Sequence, residues 1–280
     1  MDGILLLNKE IGMTSFQAIN KAKRLINASK VGHSGTLDPF ASGLLVVTVN
    51  KATKVNQFIE AQDKEYIATL KLGIKTSTLD LEGEVISTKE VPILSKDLIV
   101  NTLNKFKGKI KQIPPMYSAL KVDGVRLYDL ARQGKEVERK EREIEIYDIE
   151  LLNFTSDTIE FKVRCSKGTY IRTLGESISE ELNTYGHLIK LTRTKVGNFN
   201  LDNAYTLNNL DNVKLYPIKD ALKDFPKIML KDEDILKVKN GIKFKFNRTE
   251  DELLIIDKEK NPIAVYEKDG YIYKSKRGLF

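Results

Sequence analysis

Short apolar runs alternate along this chain with amphipathic stretches. Residues 3–7 and 44–49 are continuous apolar runs of strand length, and the second reads as a buried strand. Residues 66–72 alternate apolar and polar positions, which predicts a strand with one solvent face. Residues 137–153, 158–165 and 188–199 read as further strands. Phe16, Ile19, Ala22 and Ile26 recur at helical spacing, predicting a helix capped by Thr14 or Ser15 and reaching about Asn27. Helices are also expected over 51–61, 95–106, 127–132 and 169–182. Ile113-Pro114-Pro115-Met116-Tyr117 cannot lie in a central strand, because two prolines remove two ladder donors.

Strands outnumber helices and follow no regular βαβ rhythm, so the pattern predicts an α+β fold with a mixed sheet. The character of the chain changes after Ala221. Residues 225–280 are rich in Lys and Asp with short β-type runs, Leu253-Leu254-Ile255-Ile256 and Ile263-Ala264-Val265-Tyr266. They read as a small, mostly β appended domain.

Charge narrows the range of partners. The chain holds 46 Lys and Arg against 39 Asp and Glu, a net +7. That balance points to a polyanion, nucleic acid first, or equally to a well-solvated lysine-rich surface. One cysteine, Cys165, excludes a disulfide framework and a multi-cysteine zinc site. The two histidines, His33 and His187, are too far apart for a helical metal-binding pair. A Ser–His–acid triad stays arithmetically open, but no G-x-S-x-G elbow accompanies it. The longest uncharged stretch, 39–50, is far shorter than a bilayer span, and no signal peptide is readable at the N-terminus. A soluble, cytoplasmic protein is expected.

The most informative loop is Gly32-His33-Ser34-Gly35-Thr36-Leu37-Asp38-Pro39. Its glycines permit a tight backbone, and Pro39 biases Asp38 toward an extended conformation. Such an aspartate can stand at the edge of a cleft. By spacing alone, an Asp that caps a turn is the plainer reading. A phosphate cradle is disfavoured, since the Gly-Lys-Ser/Thr ending of a P-loop is missing.

Extended through Phe40-Ala41-Ser42-Gly43-Leu44-Leu45, this loop closely resembles the signature of the TruB family of tRNA pseudouridine synthases. Other stretches agree in the family's order: Gly3 to Lys9, Gly12-Met13-Thr14-Ser15, Asp63-Lys64-Glu65-Tyr66, Gln112 to Lys121, and Ser166 to Thr173. The resemblance covers residues 1 to about 222. It implies a catalytic domain over 1–222 with a mixed, largely antiparallel sheet flanked by helices and an RNA-gripping insertion around 112–145. Residues 223–280 resemble a small RNA-binding domain of the PUA type only loosely.

The activity implied is isomerisation of uridine 55 in the T-loop of tRNA, after the base is flipped out. Such a reaction calls for no cofactor and no metal. By resemblance Asp38 is the catalytic carboxylate, attacking ribose or base, and Arg172 pairs with it. Tyr66 stacks on the flipped uracil and can handle a proton. His33 contacts RNA, while Tyr170 and Leu191 line the uridine pocket. Lys9, counted on the substrate side, matches a lysine that braces the catalytic loop. His187 has no motif support and is read as structural. The expected partner is the tRNA T-arm, bound by a monomer.

Two departures stand out. Glu10 replaces a common proline beside Lys9, and Ser34 stands where threonine is common. Lys105, Lys107, Lys109 and Lys111 lie at alternate positions; a solvated face is the first reading and an RNA track the second. Arg126, Tyr128, Arg132 and the Arg139-Lys140 pair are better RNA-gripping candidates. The competing functions are an RNA-binding or RNA-folding module with dispensable chemistry, and a pseudouridine synthase acting on ribosomal RNA.

Overall fold

A computed structural model describes residues 1–118, 120–122 and 124–280, without the side chains of Lys121 and Arg126. Ala119 and the Lys121 side chain of the 112–121 motif, and the Arg126 side chain, therefore lie outside what the structure describes. In chain order the first strands are β1 (Gly3–Lys9), β2 (Val31–His33), β3 (Ser42–Val49) and β4 (Lys64–Leu72). Next come β5 (Ile74–Thr76), β6 (Val85–Thr88), β7 (Gly108–Gln112), β8 (Lys121–Val122) and β9 (Val125–Arg126). Then follow β10 (Arg142–Phe154), β11 (Thr158–Cys165), β12 (Gly186–Val196) and β13 (Phe199–Asn200). The main sheet runs β1-β3-β12-β4-β11-β10-β7, with β2 on β3 and β13 on β12. Its pairings are antiparallel except β12 with β3, where Thr192 faces Ser42 and Arg193 faces Gly43. The α+β class and the largely antiparallel sheet are thus as expected.

Burial explains the apolar runs. Ile4 and Leu6 of β1, with Leu44 and Val46 of β3, enter one core; Leu5 and Leu7, with Leu45 and Val47, enter another. A strand covered on both faces must be apolar at every position. One cover is α1 (Ser15–Leu25), which buries Ala18, Ile19 and Ala22. Thr14 caps it in a reciprocal box with Gln17. In β4 and β11, by contrast, only alternate residues are buried, because their other face meets solvent. That inner face packs α3 (Lys96–Asn104) and α5 (Ile171–Glu181).

Several expectations needed revision. Residues 51–61 are not one helix: a 3-10 helix, Asn50–Val55, leads into a short α2 (Asn56–Glu60). Val31–His33 of the motif loop pairs with β3, and β10 begins at Arg142 rather than Val137. α4 (Leu127–Arg132) stands as read. The C-terminal part carries β14 (Lys227–Met229), β15 (Glu252–Ile256), β16 (Pro262–Asp269) and β17 (Ile272–Gly278) in a second sheet. It also carries an unforeseen helix, α6 (Asp232–Lys239), whose first turn holds three acids. This sheet has its own core around Leu253, Tyr266 and Tyr273. Leu254, Ile256, Val265 and Leu279 share a second core with β1 and β3. Among the described residues, no helix is long and apolar enough to cross a membrane.

Candidate active site

The loop between β2 and β3 carries Asp38 and is tied down on every side. Ser15, buried at the start of α1, accepts from the Leu37 N–H at 2.8 Å and donates to the Leu37 carbonyl at 3.0 Å. The Pro39 carbonyl accepts from the Gly12 N–H at 2.9 Å and from Lys9 Nζ at 3.4 Å. Lys9 also donates to the Glu10 and Met13 carbonyls, at 2.9 and 2.7 Å. The turn opened by Glu10 is therefore held by hydrogen bonds rather than by a proline ring. Lys9 is 1% exposed, so it braces this turn from inside and does not present its ammonium to a ligand. Burial pulls its pKa down to about 8, against the opposing pull of Asp38 and Glu82.

Asp38 itself has a side chain 35% exposed. Arg172, near the start of α5, places Nε 3.0 Å from Asp38 Oδ2. The guanidinium has almost no freedom. Nη1 donates to the Thr78 carbonyl at 2.9 Å and lies 3.4 Å from Asp80 Oδ2, while Nη2 donates to the Tyr117 carbonyl at 2.7 Å. Burial pushes the Asp38 carboxyl above its ordinary range; Arg172 opposes that rise and Asp80 adds to it.

Asp80 is the site residue that sequence reasoning missed. It is 3% exposed, and its Oδ1 accepts from Thr78 Oγ1 and from the Glu82 N–H. Leu79, between Thr78 and Asp80, adopts φ +61°, a left-handed conformation that is strained for a branched side chain. That turn aims a carbonyl and a carboxylate at the same guanidinium. An acid two residues after a threonine, between β5 and β6, was the available signal.

Tyr66 on β4 lies across the sheet from Arg193 on β12 and Val163 on β11. Burial raises its phenol, and the positive charge of Arg193 partly offsets that rise. Leu191, 6% exposed, belongs to the core cluster that reaches Tyr66, Leu37 and Phe40. Tyr170 caps α5, and its peptide is gripped by Gln112, which accepts from its N–H at 2.8 Å and donates to its carbonyl at 3.0 Å. Arg142 lies over the Tyr170 ring at 5.1 Å.

His33 ends β2 half-buried, and burial with Arg193 lowers its pKa, favouring neutral imidazole. His187 has Nδ1 2.9 Å from the Ile74 carbonyl. Cys165 is buried, its thiol pushed up to about 12, so thiolate chemistry is disfavoured.

The four lysines at alternate positions do not form one free stripe. Lys105 ends α3 rather than joining a strand, and the four pair with Glu181, Asp148, Glu143 and Glu141 in turn. In the insertion, Arg132 lies over the Tyr128 ring at 5.6 Å. Arg139 turns inward to donate to the Pro114 carbonyl at 3.1 Å, leaving Lys140 exposed.

What this geometry offers is an oriented carboxylate in a cleft with a phenol nearby, suited to acting on a polar ring. A family model for the N-terminal domain of TruB family pseudouridylate synthases matches residues 23–171. A Clostridium kluyveri protein named tRNA pseudouridine synthase B is 48% identical over 249 residues, covering 88% of this chain and 86% of its own. A Clostridium tetani protein of the same name is 41% identical over 286 residues, covering 100% and 98%. The crystal structure of a Cbf5-Nop10-Gar1 complex contains a chain that superposes with a TM-score of 0.78 at 25% identity, covering 99% of this chain and 85% of that one.

Proposed function

The chain belongs to the TruB family of pseudouridylate synthases, and from that premise we propose that it converts uridine 55 of the tRNA T-loop to pseudouridine, with Asp38 as the catalytic carboxylate. Its chemistry is an isomerisation. The N1–C1′ bond of the nucleotide breaks, a C5–C1′ bond forms, the C5 proton leaves and N1 gains one.

The contact of Asp38 with a buried, fully engaged Arg172 carries this reading. Burial raises the Asp38 carboxyl; the guanidinium opposes that rise and fixes the direction of the carboxylate. Tyr66 supplies a flat ring against which an extruded uracil can stack and a hydroxyl for proton handling. Extrusion costs about a few kcal/mol, least where the base is already in a loop, which favours the T-loop as target. His33 and Tyr170 then contact the nucleotide, Leu191 closes the apolar side, and Lys9 supports the loop from beneath.

The exposed basic groups of the insertion, Arg132 and Lys140, serve as the grip on the T-arm. Residues 1–222 form the catalytic domain, and residues 223–280 a small PUA-like unit that adds RNA contacts. The protein acts in the cytoplasm as a monomer.

The test is to incubate the protein with unmodified tRNA and map pseudouridine by position. Product at position 55 is expected, and none from Asp38→Asn at tRNA affinity close to that of the unaltered protein. Product elsewhere overturns the choice of target; full activity in Asp38→Asn overturns the role of Asp38.

A further inference from the structure

Arg193 heads the large side chains that the fold buries completely, at 1% exposed. Burying a guanidinium without a counter-charge is unfavourable in a dry interior. The nearby acids are engaged elsewhere: Asp38 and Asp80 with Arg172, and Glu65 with Lys195. Among the described residues none forms an ion pair with Arg193. Its sequence position is equally unusual, because Leu191 and Arg193 share the inward face of a strand.

Its hydrogen bonds indicate what offsets that burial. Nε donates to the Leu44 carbonyl at 2.8 Å and Nη2 to the Gly35 carbonyl at 3.0 Å. These two carbonyls stand on either side of Asp38 in the chain. The backbone makes room for the arginine at both places. A Cβ on Gly43 would fall 2.5 Å from the Arg193 carbonyl oxygen, and one on Gly35 would fall 3.3 Å from its Nη1. Both glycines have positive φ, +100° and +90°. From the opposite side Arg193 faces Tyr66 in the β4–β12 register.

We infer that Arg193 is a positioning residue for the reaction, tying the segment that carries Asp38 to the hydroxyl of Tyr66. The inference rests on the function proposed above. The carboxylate comes from the loop between β2 and β3 and the phenol from β4, and a flipped base must fit between them at one separation. A single buried fork bonded to both flanks of the Asp38 segment and standing opposite Tyr66 in the sheet sets that separation. A lysine keeps the charge but has no planar fork to serve the Gly35 and Leu44 carbonyls together. An apolar residue would fill the volume and leave buried carbonyls without donors. The cation also opposes the rise that burial imposes on the phenol.

A double-mutant cycle tests this. Single-turnover pseudouridine formation on tRNA is measured for the unaltered protein, Arg193→Lys, Tyr66→Phe and the double variant, with tRNA affinity and melting midpoint alongside. Arg193→Lys should lower the rate on the order of 100-fold at unchanged tRNA affinity. The double variant should be scarcely slower than the slower single, since both remove one linkage. Additive rate losses, or a loss of affinity as large as the loss of rate, overturn the inference. Arg193→Gln is carried through the same cycle in case the lysine variant does not fold. If neither variant folds, Arg193 serves only the fold and the inference is overturned. An unaltered protein that forms no pseudouridine in any RNA overturns the functional reading and the inference with it; activity with an additive cycle overturns the inference alone.

Discussion

Arg172 meets Asp38 at 3.0 Å, Nε to Oδ2, and the arginine of the pair is buried while the carboxylate is still open to the cleft. The arginine reaches that position because two separate segments fix its other nitrogens: the turn with Thr78 and Asp80, and the stretch with Tyr117. The contact therefore joins α5, the turn after β5 and the insertion to the loop that carries the acid.

Arg172→Lys should lower the single-turnover rate of pseudouridine formation about 100-fold or more while tRNA affinity holds. An ammonium cannot serve a carboxylate and two carbonyls in divergent directions. A filter-binding assay beside a quenched-flow measurement separates the two quantities. Equal losses in both would show that Arg172 holds RNA rather than Asp38.

Asp80→Asn should lower the rate about 10-fold by loosening Arg172, again without loss of affinity. It should also move the pH profile. The role proposed for Asp38 requires it ionised, so the rate should fall as pH drops through its raised pKa. Asp80 contributes to that rise by like-charge repulsion, and its neutralisation brings the acid limb to lower pH. A limb that shifts upward would contradict the geometry.

Lys64 predicts a dependence of stability on pH. It is 7% exposed, its ammonium donates to the Glu60 and Gln62 carbonyls, and burial lowers its pKa from 10.5 to about 8. Between about 8 and 10.5 the unfolded chain binds this proton and the folded chain does not. Stability from this group therefore increases as pH rises through that window. Denaturant melts of the unaltered protein should show a larger gain from pH 8 to pH 10 than those of Lys64→Met.

Lys109→Ala with Lys111→Ala should leave tRNA affinity within about two-fold, since each lysine is already paired across the β7–β10 edge and exposed pairs contribute little. Arg132→Glu in the insertion should weaken binding about 10-fold at low salt, and less as salt rises. Equal effects from the two sets would return the lysines to the RNA track.

Much of this was legible in the residues. Continuous apolar runs at 3–7 and 44–49 announced strands buried on both sides, and the alternation at 66–72 announced a half-solvated one. The glycines and proline around Asp38 marked a constrained loop, and the resemblance of the ordered motifs paired Arg172 with that aspartate, as the 3.0 Å contact has it. Local periodicity is visible because a strand or helix repeats its surroundings every two or every 3.6 residues.

Asp80, Ser15 and Arg193 came only with the tertiary structure. Each acts through a contact between segments far apart in the chain: Ser15 with Leu37, Asp80 with Arg172, Arg193 with Gly35 and Leu44. No periodicity encodes such a contact, since its hydrogen bond exists only after two strands have found their register. The lysines of 105–111 teach the same lesson in reverse. Their spacing was plain, but which carboxylates stand opposite them depended on β7 pairing with β10. Residue chemistry and local pattern thus specify which groups are available, whereas register and packing decide which of them meet, because a hydrogen bond needs its partners within about 3 Å.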